Sequence, residues 1–356
     1  MVNNFETYLN EIVQVYKTNM PFVVFKKPNE LKLSAYLPNT NELIELNNFE
    51  EDGFVFIPFN AGKKVIFPLA KSNFKKNDFK ADEVVISDFK NNSIQKNKNE
   101  QISKERHVKL VQKAINFIEE GKADKIVLSR KETISDDGFH LFNSYKKMLL
   151  KYPNAFVYIW FHPKIGLWMG ATPEKLLSIE GNQLKTMALA GTQIYKNTTS
   201  VKWKQKEIEE QQFVSDFIVH NLQPFVKSIK ISNSFTVKAG NLLHICTTIS
   251  AVINTKNSLK LLISALHPTP AVCGLPKHIA TNFILENENY NRNYYTGFLG
   301  ELNIKNKTEL YVNLRCMQLE NNLIHIYVGG GITKDSNALN EWKETKNKAM
   351  VIENIL

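Results

Sequence analysis

The stretch from Tyr327 to Ala349, YVGGGITKDSNALNEWKETKNKA, constrains this chain more than any other. It starts as an apolar strand, meets three consecutive glycines (Gly329, Gly330 and Gly331) and, after a polar turn, continues as a helix carrying Glu341, Glu344 and Lys348. Positions i, i+3 and i+7 share one helical face, so both carboxylates and the ammonium point the same way. The glycines are expected to break the strand, to permit φ > 0 and to leave backbone N–H groups open to an anionic ligand. Strand, open backbone and Glu/Glu/Lys face together read as half of a site. A glycine turn before a solvated amphipathic helix would give the same pattern.

The remainder of the chain must supply the other half. At 356 residues and 43% hydrophobic, it is long enough for a substantial core. Three cysteines without CxxC spacing argue against a disulfide framework or a zinc cluster and fit a reducing compartment. The N-terminus lacks a signal-like pattern and no apolar run is long enough to span a membrane, so a cytoplasmic protein is expected. The formal charge of +10 comes from lysines scattered among asparagines, without a basic block or Arg-rich stripe, which disfavours nucleic acid as the partner.

In chain order, Phe5, Tyr8, Leu9, Ile12 and Tyr16 predict an opening helix, and PFVVFKK, LKLSAYL, GFVFIPF and KKVIFPL predict strands. The polar stretch from Ser72 to about Lys104 is expected to be a loop. A helix from about Ser103, capped near Gly121, leads to the strand DKIVLSRKE, which carries Lys125 on the face of Val127 and Ser129. AFVYIWF and GLWMGATPEKLL follow as strands, with Glu174 held at the turn, and then LKTMALAGTQ, whose small residues admit close approach.

Lys206 to Val226 reads as a helix in which Glu207 and Glu210 repeat the i, i+3 carboxylate pair. Two such pairs facing each other would suit one oxygen-liganded divalent cation, Mg²⁺ rather than zinc. LLHICTTISAVI reads as a strand and LISALHPTPAVCGLPKHIA as a turn-rich connection, with neither His244 nor His267 given a catalytic role. Arg315 falls within an otherwise apolar run with no acid nearby in sequence, and an anionic ligand would serve as its partner.

Taken in order, DKIVLSR, GATPEKLL, MALAGT, LLHICTT, LHPTPAVCGLP, RNYYTGFLG, VNLRC and GGGITKDSNALNEWKETKNK resemble the chorismate-utilising enzymes, above all the branch that forms isochorismate. The resemblance covers residues 105–350, the expected catalytic core; residues 1–100 are strand-rich and less informative. It implies a single α+β domain over residues 1–356, of layered, mostly antiparallel sheets flanked by helices, with the site in a deep cleft. It implies Lys125 as the base that activates water for attack at C2 of chorismate and Glu174 as the acid that protonates the departing C4 hydroxyl. Glu210 and Glu344 match the Mg²⁺ ligands, with Glu207 and Glu341 beside them. Arg315, Tyr295, Lys348 and the backbone of Gly329 and Gly331 match the site for the enolpyruvyl carboxylate, while Gly191 and Thr192 line the ring pocket. The implied product feeds menaquinone or siderophore biosynthesis.

These roles set physical demands. A lysine is a base only when neutral, so its pKa must fall from about 10.4 to roughly 7 or 8, while the acid needs a raised pKa. The chain departs from the family pattern at Gln211, Ala338 and Ala251, none of them a proposed catalytic group. Anthranilate synthases typically carry Gln at the place of Lys125, and aminodeoxychorismate synthases Lys at the place of Ala190, so neither aminating pattern is present. No glutaminase subunit is therefore expected, and a monomer is. The alternative is salicylate synthase, which shares Lys125 but usually has Ser-Val-Thr where this chain has Thr269-Pro270-Ala271. The alternative outside enzymology, a basic nucleic-acid-binding protein, gives no reason for the spaced glutamates.

Overall fold

A computed structural model describes residues 5–86, 100–254 and 258–356. From the N-terminus, α1 (Phe5–Lys17) leads to β1 (Phe22–Lys26), β2 (Lys32–Pro38), β3 (Gly53–Ile57), β4 (Val65–Pro68) and β5 (Ser72–Asp78). Next come α2 (Glu100–Glu119), β6 (Lys125–Ser135), α3 (Leu141–Lys151), β7 (Phe156–His162), β8 (Gly166–Thr172), β9 (Lys175–Glu180), β10 (Gln183–Ile194) and α4 (Gln205–Leu222). β11 (Val226–Ile231), β12 (Phe235–Ala239) and β13 (Leu242–Ile253) precede α5 (Leu259–Leu266), β14 (Gly274–Leu275) and α6 (Lys277–Asn287). The chain continues with β15 (Phe298–Ile304), β16 (Lys307–Val312), β17 (Cys316–Glu320), β18 (Leu323–Ile332) and α7 (Ala338–Glu353).

The strands form two antiparallel sheets within a single domain. The first runs β14-β6-β18-β17-β8-β7-β1-β2-β5, the second β11-β13-β10-β9-β16-β15-β3-β4, with β12 also on β13. Alternation along the strands builds the layers. In β1, Val23 and Phe25 enter an aromatic cluster with Phe54, Phe56, Phe67 and Tyr311 of the second sheet, while Phe22 and Val24 pack outward with Phe5, Tyr145 and Ile352 from helices. The outer face of the second sheet packs on Val214 and Ile218 of α4 and Leu262 of α5. Strands buried on both faces read as continuous apolar runs, which explains VVF and VYIWF. Stacked rings join the sheets, Trp160 with Phe67 at 5.3 Å between centroids and Phe156 with Tyr311 at 4.3 Å.

Several local expectations are corrected. Residues 72–78 are not loop but edge strand β5, paired with β2; residues 87–99 of that stretch lie outside the described residues. The connection after His267 is flanked by α5 and α6, and α3 was not anticipated from periodicity. The strand-rich N-terminal third completes both sheets.

The glycines do not break β18. All three pair with β6, Gly329 with Ser129, Gly330 with Leu128 and Gly331 with Val127, and none has positive φ. Arg315 is not inside a strand either. It lies between β16 and β17, where the chain leaves one sheet for the other, with φ 47°. A second crossing, at Pro173 and Glu174, joins β8 to β9. The crossings are hydrogen-bonded to each other: Val312 N donates to Glu174 O at 3.0 Å and Ala171 N to Arg315 O at 3.2 Å.

Candidate active site

These crossings open a cavity between the sheets, lined by Glu174, Gly191, Thr192, Glu210, Tyr295, Arg315, the three glycines and Lys348. Glu174 projects from the β8–β9 crossing and is 4% exposed. Burial pushes its pKa up to about 8, although Lys125 and then Arg315 oppose the rise. It therefore carries a proton at neutral pH.

Lys125, fully buried at the start of β6, lies behind the cavity wall. Its Nζ is 3.0 Å from Glu210 Oε1, an ion pair in which the ammonium makes no well-directed hydrogen bond among the described residues. Gly331 explains how the pair fits. A Cβ there would sit 2.3 Å from Glu210 Oε1 and 2.9 Å from Lys125 Cε. Glycine is needed for space, not for φ.

The C-terminal helix delivers what its spacing predicts. Glu341 pairs with Lys206 of α4, and Glu344 with Lys348 at 2.7 Å. Lys348 Nζ also donates to Gly329 O at 2.9 Å, on the part of β18 beyond its pairing with β17. Burial, then the charge of Glu344, raises the pKa of Glu341, with Lys206 opposing. Glu210 is also subject to burial, yet Lys125, Lys348 and Lys206 hold its pKa below the ordinary value. Glu207 serves the helix instead of the cluster, since its Oε2 accepts from Lys204 N and caps α4.

Whether this cluster suits a divalent cation is a question of donors and room. Glu341 and Glu344 reach the strand on the Gly330 side, where a Cβ would meet Glu341 Oε2 at 3.4 Å and Glu344 Oε1 at 3.7 Å, and Glu210 on the Gly331 side; as placed, no three His, Cys, Asp or Glu among the described residues form a group that could hold an ion. The donor type, carboxylate oxygen, is the one a hard cation such as Mg²⁺ takes, but each carboxylate is paired with a lysine, Glu210 with Lys125, Glu341 with Lys206 and Glu344 with Lys348.

On the opposite wall Arg315 donates to Ala239 O at 2.8 Å and to His244 Nε2. His244 Nδ1 in turn meets Gly191 O at 2.8 Å, at a bulge in β10 where Gly191 has φ 70°. Burial and then Arg315 drive the pKa of His244 well down, so the ring is neutral, Nδ1–H donating and Nε2 accepting. Buried Tyr295 stacks on Tyr327 at 5.4 Å, its hydroxyl 3.0 Å from where a Cβ on Gly329 would lie. Burial raises the phenol pKa and keeps it a donor.

Sequence reasoning missed three contributors. His244 clamps Arg315, and Lys206 neutralises Glu341. The third is the buried pair Glu288–Arg292, which substitutes for a neighbouring strand along β6: Ser129 N donates to Glu288 Oε1 at 2.7 Å and Arg292 Nη2 to Val127 O at 2.7 Å. The i, i+4 spacing of that pair was its one sequence signal.

A fold of this kind, with a cationic wall, a buried acid and a buried lysine, defines a class of small-molecule enzyme sites, and the comparisons give the class its family. Residues 61–356 match the family described as chorismate binding enzyme, and the chain belongs to it. The isochorismate synthase MenF of Haemophilus influenzae is 30% identical over 253 residues, 67% of this chain and 57% of that protein. Anthranilate synthase component 1 of Lactococcus lactis is 27% identical over 259 residues, 70% of this chain and 56% of that protein. The matches thus span little more than half the length of these relatives. A Bacillus anthracis structure assigned as a 2,3-dihydroxybenzoate-specific isochorismate synthase, DhbC, superposes with TM-score 0.79 at 21% identity, covering 97% of this chain and 98% of that one, and shares the fold. No helix among the described residues is long and apolar enough to cross a membrane.

Proposed function

We propose that this chain converts chorismate to isochorismate, adding water at C2 and releasing the C4 hydroxyl. The observation that carries the reading is the pairing of a buried lysine with a buried carboxyl group that keeps its proton up to about pH 8, each within the other's field. Lys125 takes a proton from water as its oxygen bonds to C2. The ring double bonds shift, and Glu174 gives its proton to the hydroxyl leaving C4. Solvent exchange then restores both groups. Before that, the Lys125–Glu210 pair must open and the Lys125 ammonium must give up a proton to solvent, leaving the neutral amine free to accept.

Arg315, Tyr295, Lys348 and the Gly329 and Gly331 backbone bind the enolpyruvyl carboxylate, with Gly191 and Thr192 against the ring. Glu210 and Glu344 would hold Mg²⁺, with Glu341 beside them, and the ion would neutralise the ring carboxylate. Three buried free thiols support a cytoplasmic setting, and use of water by Lys125 supports action without a glutaminase subunit.

The test is incubation with chorismate and Mg²⁺, followed by chromatography beside a reaction coupled to isochorismatase. Isochorismate in a reversible mixture with chorismate is expected, with or without ammonia. Equal amounts of salicylate and pyruvate would replace this reading with salicylate synthase, and an aminated product would overturn it.

A further inference from the structure

A second cavity, about 420 Å³, lies against the first and shares Arg315 and Pro173 with it. Its outer rim is exposed and carries Lys151 at the end of α3, Lys238 on β12 and Asn354 after α7; its floor is Arg315. Lys238 stands over the Tyr195 ring, 3.7 Å from its centroid. Among the described residues no Asp or Glu lines this space, whereas three cationic residues, Lys151, Lys238 and Arg315, do. Such a one-signed concavity raises the local concentration of an anion and speeds its capture, by about tenfold or more.

We propose that this cavity is the antechamber through which the anionic substrate reaches Arg315, with Lys151 and Lys238 as steering charges that make no contact in the reacting complex. The proposed function is needed only for the identity of the anion. The lysines lie on the solvent side of Arg315, and Ala239 O, which holds the guanidinium, belongs to the same wall. An anion passing them would therefore meet the guanidinium at the boundary of the two cavities.

The test reads charge preference independently of turnover. Asn241 lines the cavity, and Cys246, Cys273 and Cys316 are buried, so Asn241→Cys places the one accessible thiol there among the described residues. Relative to free cysteine, an anionic methanethiosulfonate should modify it about tenfold faster than a cationic one. The preference should collapse in a Lys151→Gln/Lys238→Gln background, and chorismate should slow the modification. In the chain without the added cysteine, Lys151→Glu/Lys238→Glu should lower kcat/KM severalfold at low salt and leave kcat unchanged, with recovery as salt screens the rim.

A thiol without charge preference, or, in a protein that turns over chorismate, absence of protection or kcat/KM unaltered by charge reversal, would overturn the proposal. Anion preference in a protein that does not turn over chorismate would instead leave the antechamber standing and remove the functional reading.

Discussion

Lys125 Nζ and Glu210 Oε1, 85 positions apart in the chain, meet 3.0 Å apart behind Gly331. The proposed base and one of the proposed cation ligands are thus direct partners at rest. Lys125→Ala should lower the rate of water addition by about 10² to 10⁴, the usual worth of a general base, while chorismate still binds. Steady-state kinetics together with chorismate binding by calorimetry check this, and activity within a few-fold of wild type would remove Lys125 from the mechanism.

Gly331→Ala tests the space that pair requires. The added methyl would lie 2.3 Å from Glu210 Oε1 and meet Lys125 Cε, so both side chains must move. Overpacking of this kind costs about 1 to 3 kcal/mol; activity should fall much further than the melting temperature. Gly181→Ala, at a position with open space but φ 58°, is the control that carries backbone strain alone.

Glu174, as the proposed acid, should set the alkaline limb of the pH profile. Its pKa is raised to about 8, so it is a competent acid below that value and loses its proton as pH rises through it. kcat/KM should therefore decline near pH 8, and Glu174→Gln should abolish both activity and limb. Because the folded state binds this proton more tightly than the unfolded chain, stability should also fall between about pH 4.5 and 8. A rate profile flat through pH 9 would contradict the assignment.

Removing Mg²⁺ with EDTA should stop turnover, and added Mg²⁺ should restore it. Independently of activity, calorimetric Mg²⁺ binding should disappear in Glu344→Gln and Glu210→Gln while the circular dichroism spectrum is unchanged. Binding at wild-type affinity in both variants would place the ion elsewhere.

Glu288→Gln should be costly for a different reason, since it leaves Arg292 charged, buried and without its carboxylate. Loss of one partner of a buried pair costs about 3 to 5 kcal/mol. Urea denaturation reads this directly; a change below about 1 kcal/mol would show that Arg292 is satisfied by Val127 and Val272 carbonyls alone.

Periodicity made the strands, the first helices and the face shared by Glu341, Glu344 and Lys348 legible, because those patterns are local. The reason for Gly331 was not legible. Its neighbour Glu210 comes from a distant helix, and a glycine required by another chain segment looks like one required by its own φ. Arg315 was misplaced for a related cause: VNLRCMQL is apolar on both sides, and nothing within it marks a change of sheet. His244 was set aside as a lone histidine because its partners, Gly191 and Arg315, are visible only after folding.

The two crossings have a mechanical consequence. Glu174 and Arg315 each sit where the chain passes from one sheet to the other, and the Val312–Glu174 and Ala171–Arg315 backbone bonds tie those passages together. The proposed acid and the guanidinium proposed to hold the substrate's carboxylate are therefore fixed by the gap between the sheets more than by either sheet alone. Any agent that slides the sheets, whether pressure, a swollen aromatic interlayer or a mild denaturant, would detune catalysis while both ladders stay intact, making turnover a more sensitive gauge of that gap than any measure of secondary structure.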